Sequence, residues 1–330
     1  MGKFSPLAFN DPNITFETCT TNTTEAHNQQ FNLFPNPKFC TMSEYQQYHF
    51  KAIDRPLTHK EQEKISSWSS RANVNSTSAK FQYNYGDFPE TEEKVVEKYF
   101  DALFYFSNLG TYRLMFRFPL EAIDSEKIAV FEREAETGFT THLQLLKKKN
   151  CWLLDFYWSD DGEDDRWMEE DFSLGGLISI REQIMRDDYR ALYLFWIKLA
   201  TYAHLYDVEE YEDELEDEES QHPIVPPNLG KLNSTLRNFV DFFDIDEDLI
   251  KAAASFGKIN QSQKIDYAKL IKQLPEKERM DFLVRLAKGE TNLEVAFNRR
   301  LKYFLTKDDE GTNENRPSPL KLVQKSEGIL

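Results

Sequence analysis

The residues best suited to chemistry lie in three segments of alternating polar and apolar side chains: TYRLMFRF (111–118), FTTHLQLL (139–146) and CWLLDFYW (151–158). Successive side chains of a β-strand point to opposite faces of the sheet, so every second residue shares a face. If these strands are neighbours, one face gathers two arginines, a histidine, an amide, a carboxylate and a phenol: Arg113, Arg117, His142, Gln144, Asp155 and Tyr157.

Two interpretations of this polar face are open. Arginines beside a histidine and a carboxylate could bind an anionic ligand or transfer a proton, which would make these residues part of an active site. The simpler interpretation, which we favour, is the solvated face of a half-covered antiparallel sheet in which an arginine and an aspartate form a cross-strand pair.

A second candidate site is the acidic segment DFYWSDDGEDDRWMEED (155–171), with nine acidic residues and one arginine. Its carboxylates could bind Mg²⁺ or Ca²⁺, which prefer oxygen ligands, through Asp160, Asp161, Asp164 and Asp165. The spacing does not match a calcium loop, because a sixth position at Gly162 places Tyr157 and Ser159 at the first and third positions. We therefore expect neither a metal nor a cofactor here.

A second acidic segment, DVEEYEDELEDEE (207–219), carries ten acidic residues and no base, and is followed by the extended-looking SQHPIVPP. One interpretation is a solvated linker over 207–227, held open by charge repulsion. Another is docking to a basic surface, on a partner protein or on the basic helices predicted at 256–305. A third is mimicry of a phosphate backbone, to compete for a nucleic-acid-binding partner. The docking residues would be Glu212, Asp213, Glu214, Glu216 and Asp217.

Composition restricts the function classes. A net charge of −17 argues against direct binding to nucleic acid or to an anionic membrane. The sequence has no phosphate-binding loop, no GxGxxG and no GxSxG, and its six histidines form no HxxxH pair. Cys19, Cys40 and Cys151 are far apart, and we find neither a secretory signal nor a long apolar run. These features predict a soluble cytoplasmic protein.

Secondary-structure patterns divide the chain in two. Strand and helix patterns alternate from 42 to about 158, whereas only helical patterns follow after 172. In the first part, Val96, Tyr99, Phe100 and Leu103 predict one helix that ends at Gly110. The sequence thus predicts an α+β fold: an N-terminal mixed or antiparallel sheet with helices on one face, then an all-helical C-terminal domain.

The predicted domains are an α+β domain at 42–171 and a helical domain at 172–305, interrupted by the acidic linker. Residues 306–330 are polar and contain two prolines, which predicts a disordered tail. Residues 1–41 have few charges and no regular period, which predicts a disordered leader. The fold is expected to start at Met42, because EYQQYHFKAI alternates as a strand and Thr58 with Glu61 forms a helix-capping box. A functional N-terminal arm is the alternative.

Five segments resemble a family of uncharacterised bacterial proteins whose members begin at the residue matching Met42. These are MSEYQQYHFKAIDRPLT, YNYGDF (83–88), EKYFDALFYFSNLGTYRLMFRFP (97–119), DDYRALYLFW (187–196) and PPNLGKL…FFDIDEDLI (226–250). The resemblance covers most of 42–305 and implies no activity. We therefore expect a noncatalytic interaction or regulatory module; the alternatives are an enzyme that uses the polar face or a bound metal, and an acidic nucleic-acid mimic.

Overall fold

Eight antiparallel β-strands form one sheet in the part of the chain that the structure describes. The structure is a computed structural model, and it describes residues 45–84, 86, 88–136, 140–160, 173–206, 222–258, 266–290, 292–302, 304 and 316–328. The strand order across the sheet is β2-β3-β1-β4-β5-β8-β7-β6. The strands are β1 (Gln46–Lys51), β2 (Asn73–Asn75), β3 (Ser78–Tyr83), β4 (Ala102–Ser107), β5 (Thr111–Pro119), β6 (Arg133–Glu136), β7 (Thr140–Lys147) and β8 (Cys151–Ser159).

The same described ranges contain twelve helices, none of which is both long and apolar enough to span a membrane. Those before the first long gap are α1 (His59–Ser66), α2 (Glu92–Tyr99) and α3 (Ser125–Ala129). Those after it are α4 (Leu174–Leu177), α5 (Ser179–Met185), α6 (Arg190–Tyr206), α7 (Ser234–Phe243), α8 (Glu247–Ala254), α9 (Tyr267–Gln273), α10 (Glu276–Ala287), α11 (Leu293–Lys302) and α12 (Pro319–Ser326).

Helices cover both faces of the sheet. On one face, α1 and α2 enclose a cluster that includes Phe50, Phe81 and Met115. On the other face, the C-terminal helices enclose a larger cluster that includes Phe116 and Phe156. Central strands that are buried on both faces read as nearly continuous apolar runs. The predicted α+β class, with a sheet followed by helices, is confirmed.

The prediction of one helix that continues to Gly110 is wrong beyond Tyr99. Helix α2 ends at Tyr99, and ALFYFS (102–107) forms β4 in the middle of the sheet. Five of these six residues are buried, so the segment lacks the alternation that identifies a half-exposed strand. Its apolar residues therefore fit the helical period as well as the strand period.

The C-terminal tail is ordered where it is described, contrary to the prediction. Pro319–Ser326 forms α12, which begins with Ser318 as the N-cap and Pro319 in the first turn. Proline suits this position, because the first backbone N–H groups of a helix have no partner within the helix. Leu322 is fully buried in the large core cluster, where α12 packs against α6 and α8.

Chain contacts divide the molecule after Met42, and Ser43–Leu330 form one compact unit. Helices α9 to α11 form a small lobe within it, with its own core of Leu270, Leu274 and Leu301. The leader predicted at 1–41 and the domain boundary predicted at 171–172 lie outside the described residues.

Candidate functional site

Asp155 is the centre of the predicted polar face. It lies on β8, between β5 with Arg113 and β7 with His142. Arg113 Nε donates to Asp155 Oδ1 at 3.0 Å, and Arg113 Nη2 donates to Oδ2 at 2.6 Å. His142 Nε2 lies 3.1 Å from the same Oδ2 and donates to it, since an ionised carboxylate only accepts. The structure thus joins three predicted residues in one cluster.

Strand register explains this geometry. Arg113 and His142 both lie opposite Tyr157, one on each neighbouring strand, whereas Asp155 is two residues away along β8. Their long side chains therefore reach Asp155 diagonally. Tyr157 packs between them: its ring stacks on His142 with centroids 5.2 Å apart, and the Arg113 guanidinium lies 5.5 Å from its centroid.

The face is not solvated at this point, so that part of the favoured interpretation is wrong. Asp155 is only 1% exposed, because α2 packs against β5 and β8. Burial by itself raises the pKa of Asp155, but Arg113 and His142 outweigh it and hold the pKa below its usual range. The predicted Arg–Asp pair is present, and it is a buried one.

Two carboxylates of α2 complete the surroundings of Arg113. Its Nη2 lies 3.4 Å from Glu93 Oε1, and its Nη1 lies 3.6 Å from Glu92 Oε2. Glu93 is also paired with Lys148 at 3.2 Å. Three carboxylates therefore surround one guanidinium, an arrangement that repels rather than attracts an anionic ligand.

This cluster is poorly suited to proton transfer. A general base works best with a pKa near the operating pH, whereas the pKa of Asp155 is lowered. Both of its oxygens already accept hydrogen bonds, from Arg113 and from His142. The geometry is that of an ion pair that holds three strands and α2 together.

Arg117 belongs to a different cluster, although the sequence predicts it beside Arg113. Its Nε and Nη2 both bond to Asp101 Oδ1, the first at 2.9 Å. The fully buried Arg181 of α5 donates to the Arg117 carbonyl and to Asp54 Oδ2, each at 2.8 Å. Asp54 Oδ1 also accepts from Asn292 Nδ2 at 3.2 Å. This network joins the sheet to the helical layer and to the lobe.

Sequence reasoning missed Asp54, Asp101 and Arg181. Each lies in or beside an apolar segment without a recognisable motif. The pairs that form hydrogen bonds are far apart in the chain: Asp54 and Asp101 by 47 residues, and Asp54 and Arg181 by 127. The only local indication was a charged residue within an apolar helical pattern, as for Arg181 in LISIREQIM.

Only one of the four predicted cation ligands, Asp160, lies in the described residues. Asp160 accepts a hydrogen bond from Trp158 Nε1 at 3.0 Å, while Asp161, Asp164 and Asp165 lie outside the described ranges. In the described part of the chain, no group of three histidine, cysteine or acidic side chains could hold a metal ion. The predicted docking acids at 212–217 also lie outside it.

A cleft of about 700 Å³ lies between α3, the start of α6 and the segment 224–228. Its lining combines apolar residues such as Phe131 and Val225 with charged residues. Several of those charges pair within the lining, as in the 2.6 Å salt bridge between Arg190 and Asp188. Of the predicted site residues that the structure describes, none lines this cleft.

Among the described residues, the largest group of exposed apolar side chains within one element is on α10. Four of its apolar side chains are exposed: Met280 (58%), Leu283 (59%), Val284 (43%) and Leu286 (64%). Met280, Leu283 and Val284 have the i, i+3, i+4 spacing of one helix face. The opposite side of α10 packs on the lobe, where Phe282 contacts Phe297 with ring centroids 4.9 Å apart. An apolar stripe with this spacing is ordinarily the buried side of a helix in a globular protein.

Exposed lysines lie beside this apolar face. Lys277 and Lys288 are both exposed, and neither forms a salt bridge with a residue that the structure describes. The nearby carboxylates of Glu278 and Glu290 bind Arg300 and Arg285, at 2.8 and 2.5 Å. The margin of the α10 face therefore carries two exposed lysines, together with the exposed carboxylate of Glu276 in the first turn.

Comparison with known proteins gives no relative. No protein-family model matches this chain, and neither do any curated protein or solved structure. The resemblance to uncharacterised bacterial proteins therefore stays a prediction, and function has to be inferred from the geometry of the described residues.

Proposed function

We propose that this protein is a noncatalytic protein-interaction module of the cytoplasm, and that α10 supplies the contact surface. The observation that carries the proposal is the exposed apolar stripe of Met280, Leu283 and Val284, with Leu286 beside it. Large apolar side chains grouped on one exposed helix face are typical of an interaction site, whereas single ones are ordinary.

The positive charge beside the stripe restricts the kind of partner surface that can bind there. Lys277 lies in the first turn of α10 and Lys288 is its C-cap residue, and both are exposed. A partner that covers the stripe brings its own surface close to these ammonium groups, so complementary acidic residues favour association. The partner surface we propose is an apolar stripe bordered by aspartates and glutamates.

The geometry at Asp155 supports a noncatalytic role. Its carboxylate is fully engaged by Arg113 and His142, and its pKa is lowered, which leaves it ill suited to act as a base. The cytoplasmic location rests on the cysteines, of which Cys151 is a buried free thiol. Mimicry of a nucleic acid depends on residues outside the described ranges and stays a prediction.

The proposal is tested with two labelled helical peptides added to the full chain. Both carry leucine at i, i+3, i+4 and i+7; one has glutamate at the other positions and its counterpart has lysine. We expect fluorescence anisotropy to show binding of the acidic peptide only. Replacing both Leu283 and Val284 by Gln should weaken that binding at least tenfold, since burial of one such side chain contributes about 1.5 kcal/mol or more.

Leu320→Gln is the matched control, because Leu320 is also an exposed leucine of a helix, at 46%. Circular dichroism should show that all variants remain folded, since the replaced side chains contribute little to the core. Equal binding of both peptides, or equal loss in the α10 and control variants, would contradict the proposal.

A further inference from the structure

The cleft beside the first turn of α6 has no part in the proposed function. Its volume of about 700 Å³ lies in the range of about 300–1,000 Å³ that is typical of small-molecule sites. The lining comes from α3 and its flanking residues, from the residues that join α5 to α6, from the segment 224–228 and from Arg316, which precedes α12. Among the described residues that line it, none belongs to the lobe that carries α10. The cleft is therefore a surface separate from the α10 face.

Apolar side chains form much of the lining, and several of them meet solvent. Val130 is 49% exposed, Pro227 is exposed and Ile224 is half-buried. Phe131 and Val225, which also line the cleft, are buried members of the large core cluster. Removal of apolar surface from water is favourable in proportion to the area covered. A ligand with an apolar body would therefore bind here at the expense of water.

Hydrogen bonds among the lining residues hold the cleft in shape. Asp188 accepts from Arg190 Nε at 2.9 Å and from Arg190 Nη2 at 2.6 Å. Arg190 Nη1 donates to the Lys231 carbonyl at 3.1 Å, which fixes the start of α6 against the chain that follows the segment 224–228. The Tyr189 hydroxyl donates to Asp187 Oδ1 at 3.2 Å. Because the cleft is formed in advance, a ligand does not have to order it on binding.

Most cations of the lining already have a counter-ion. Besides the Arg190 pair, Lys127 Nζ lies 3.5 Å from Asp124 Oδ2, and Arg186 Nη2 lies 3.6 Å from Glu182 Oε2. These pairs neutralise three of the four cations that line the cleft. The fourth cation decides which charge a ligand can carry.

That fourth cation is Arg316, which is half-buried. Its Nη1 donates to the His222 carbonyl at 2.5 Å, and it forms no ion pair with a residue that the structure describes. A guanidinium has five N–H donors in a planar fork that matches the two oxygens of a carboxylate. The Glu126 carboxylate, also in the lining, is exposed to water in the first turn of α3, where the helix favours negative charge. The remaining N–H groups of Arg316 therefore favour an anionic ligand.

We propose that this cleft binds a small carboxylic acid with an apolar body, either aromatic or aliphatic. The body would cover Val130 and the apolar residues of the segment 224–228, and the carboxylate would accept hydrogen bonds from Arg316. This site adds a small-molecule ligand to the protein and does not depend on the proposed function of α10.

Isothermal titration calorimetry on the full chain tests the proposal with decanoate and naphthoate, which distinguish an aliphatic from an aromatic ligand. Each is compared with the alcohol and the alkylamine of the same apolar body: decanol and decylamine, and naphthylmethanol and naphthylmethylamine. We expect at least one carboxylate to bind with a Kd below about 1 mM. Its alcohol and its amine should bind at least tenfold more weakly, because neither can accept a charge-assisted pair of hydrogen bonds from a guanidinium.

Variants assign the binding to the cleft. Arg316→Gln should weaken carboxylate binding at least tenfold and leave alcohol binding unchanged, while circular dichroism shows that the protein remains folded. Arg71→Gln, at an exposed arginine outside the cleft, is the matched control and should bind as the natural sequence does. Val130→Glu places a charge in the apolar lining and should weaken binding of both the acid and the alcohol. Leu283→Gln with Val284→Gln should have no effect, since α10 does not line the cleft.

Several results would overturn the proposal. These are failure of both carboxylates to bind the natural sequence, and equal binding of an acid and its alcohol. Tighter binding of an amine would show that the cleft selects a cation, through Glu126, instead of an anion. Loss of carboxylate binding in the α10 double variant but not in Arg316→Gln would place the ligand on the α10 face. None of these results bears on the proposed function, which is tested separately with peptides.

Discussion

Arg113 reaches Asp155 diagonally across the β5–β8 pair and bonds to both of its carboxylate oxygens, at 3.0 and 2.6 Å. The residue directly opposite Arg113 is Tyr157, whose ring the guanidinium partly covers. The pair is almost fully buried, and α2 places Glu92 and Glu93 on its outer side. Water does not solvate these two buried charges, so each needs the other as its counter-ion.

We therefore predict that Asp155→Asn lowers the free energy of unfolding by about 3–5 kcal/mol, because it leaves Arg113 buried without its main counter-ion. The measurement is urea unfolding at pH 7. Asp248→Asn is the control: Asp248 pairs with Lys251 at 2.8 Å on an exposed helix surface, and such pairs contribute about 1 kcal/mol or less. Similar losses in the two variants would refute the prediction.

Stability should also fall between pH 6.5 and pH 4 because of His49. Burial, together with Lys80 and Lys51, lowers the pKa of His49 from 6.5 to about 4. In that window the unfolded chain binds a proton that the folded chain does not, so the free energy of unfolding decreases as pH falls, by at most about 1.4 kcal/mol per pH unit. Asp155 acts outside this window, because its folded pKa lies below the unfolded value of 3.8.

The check is urea unfolding at pH 7, 6 and 5 for the natural sequence, for His49→Gln and for His59→Gln. His49→Gln should show a shallower decrease over this range, and His59→Gln, on the surface of α1, should not. The same slope in all three proteins would assign the pH dependence to other groups.

Removal of the Arg181 guanidinium should destabilise the protein more than any exposed arginine does. Arg181 is 2% exposed, and it donates to the Arg117 carbonyl and to Asp54. Arg181→Met is expected to cost about 3 kcal/mol or more, since both acceptors lose a buried donor. Arg186→Met is the neighbouring control, because its side chain is 67% exposed and contacts Glu182 at 3.6 Å. A loss below 1 kcal/mol for Arg181→Met would exclude a structural role.

The Cys151 thiol should be protected in the folded protein. It is 2% exposed, and burial raises its pKa although Arg117 opposes the shift. Since the thiolate is the reactive form, native Cys151 should react with a disulfide reagent at pH 8 far more slowly than in urea. A Cys19→Ser, Cys40→Ser variant isolates the signal of this thiol. Reaction in native buffer at the rate of the unfolded chain would contradict the prediction.

Sequence patterns that extend over only a few residues were sufficient to predict several strands and a helix cap. The alternation in TYRLMFRF and CWLLDFYW predicted two strands and the side chains that share each face, because the strand period of two is a property of the backbone. The Thr58–Glu61 capping box is also confirmed: Thr58 N donates to Glu61 Oε2 at 2.8 Å. Such features depend on neighbours within a few residues, so the sequence alone was sufficient.

Other parts depend on residues far apart in the chain. The strand β4 was hidden because burial on both faces removes the polar alternation. Arg113 and Arg117 lie on the same face of β5. Glu92 and Asp155 pair with Arg113, whereas Asp101 pairs with Arg117 and Arg181 donates to the Arg117 carbonyl. Two charged groups form an ion pair only when they lie close together, and the packing of separate strands and helices sets the distance between them.

The α10 face is the clearest case of this limit. Met280, Leu283 and Val284 form an apolar stripe that the sequence marks for burial, as it does for any amphipathic helix. Which side of a helix is covered depends on what else packs there, and in the tertiary structure the lobe contacts α10 through Phe282 and leaves the stripe exposed. The sequence by itself determined that α10 is amphipathic, and only the tertiary structure decided that this stripe meets solvent, because burial is a property of three-dimensional neighbours.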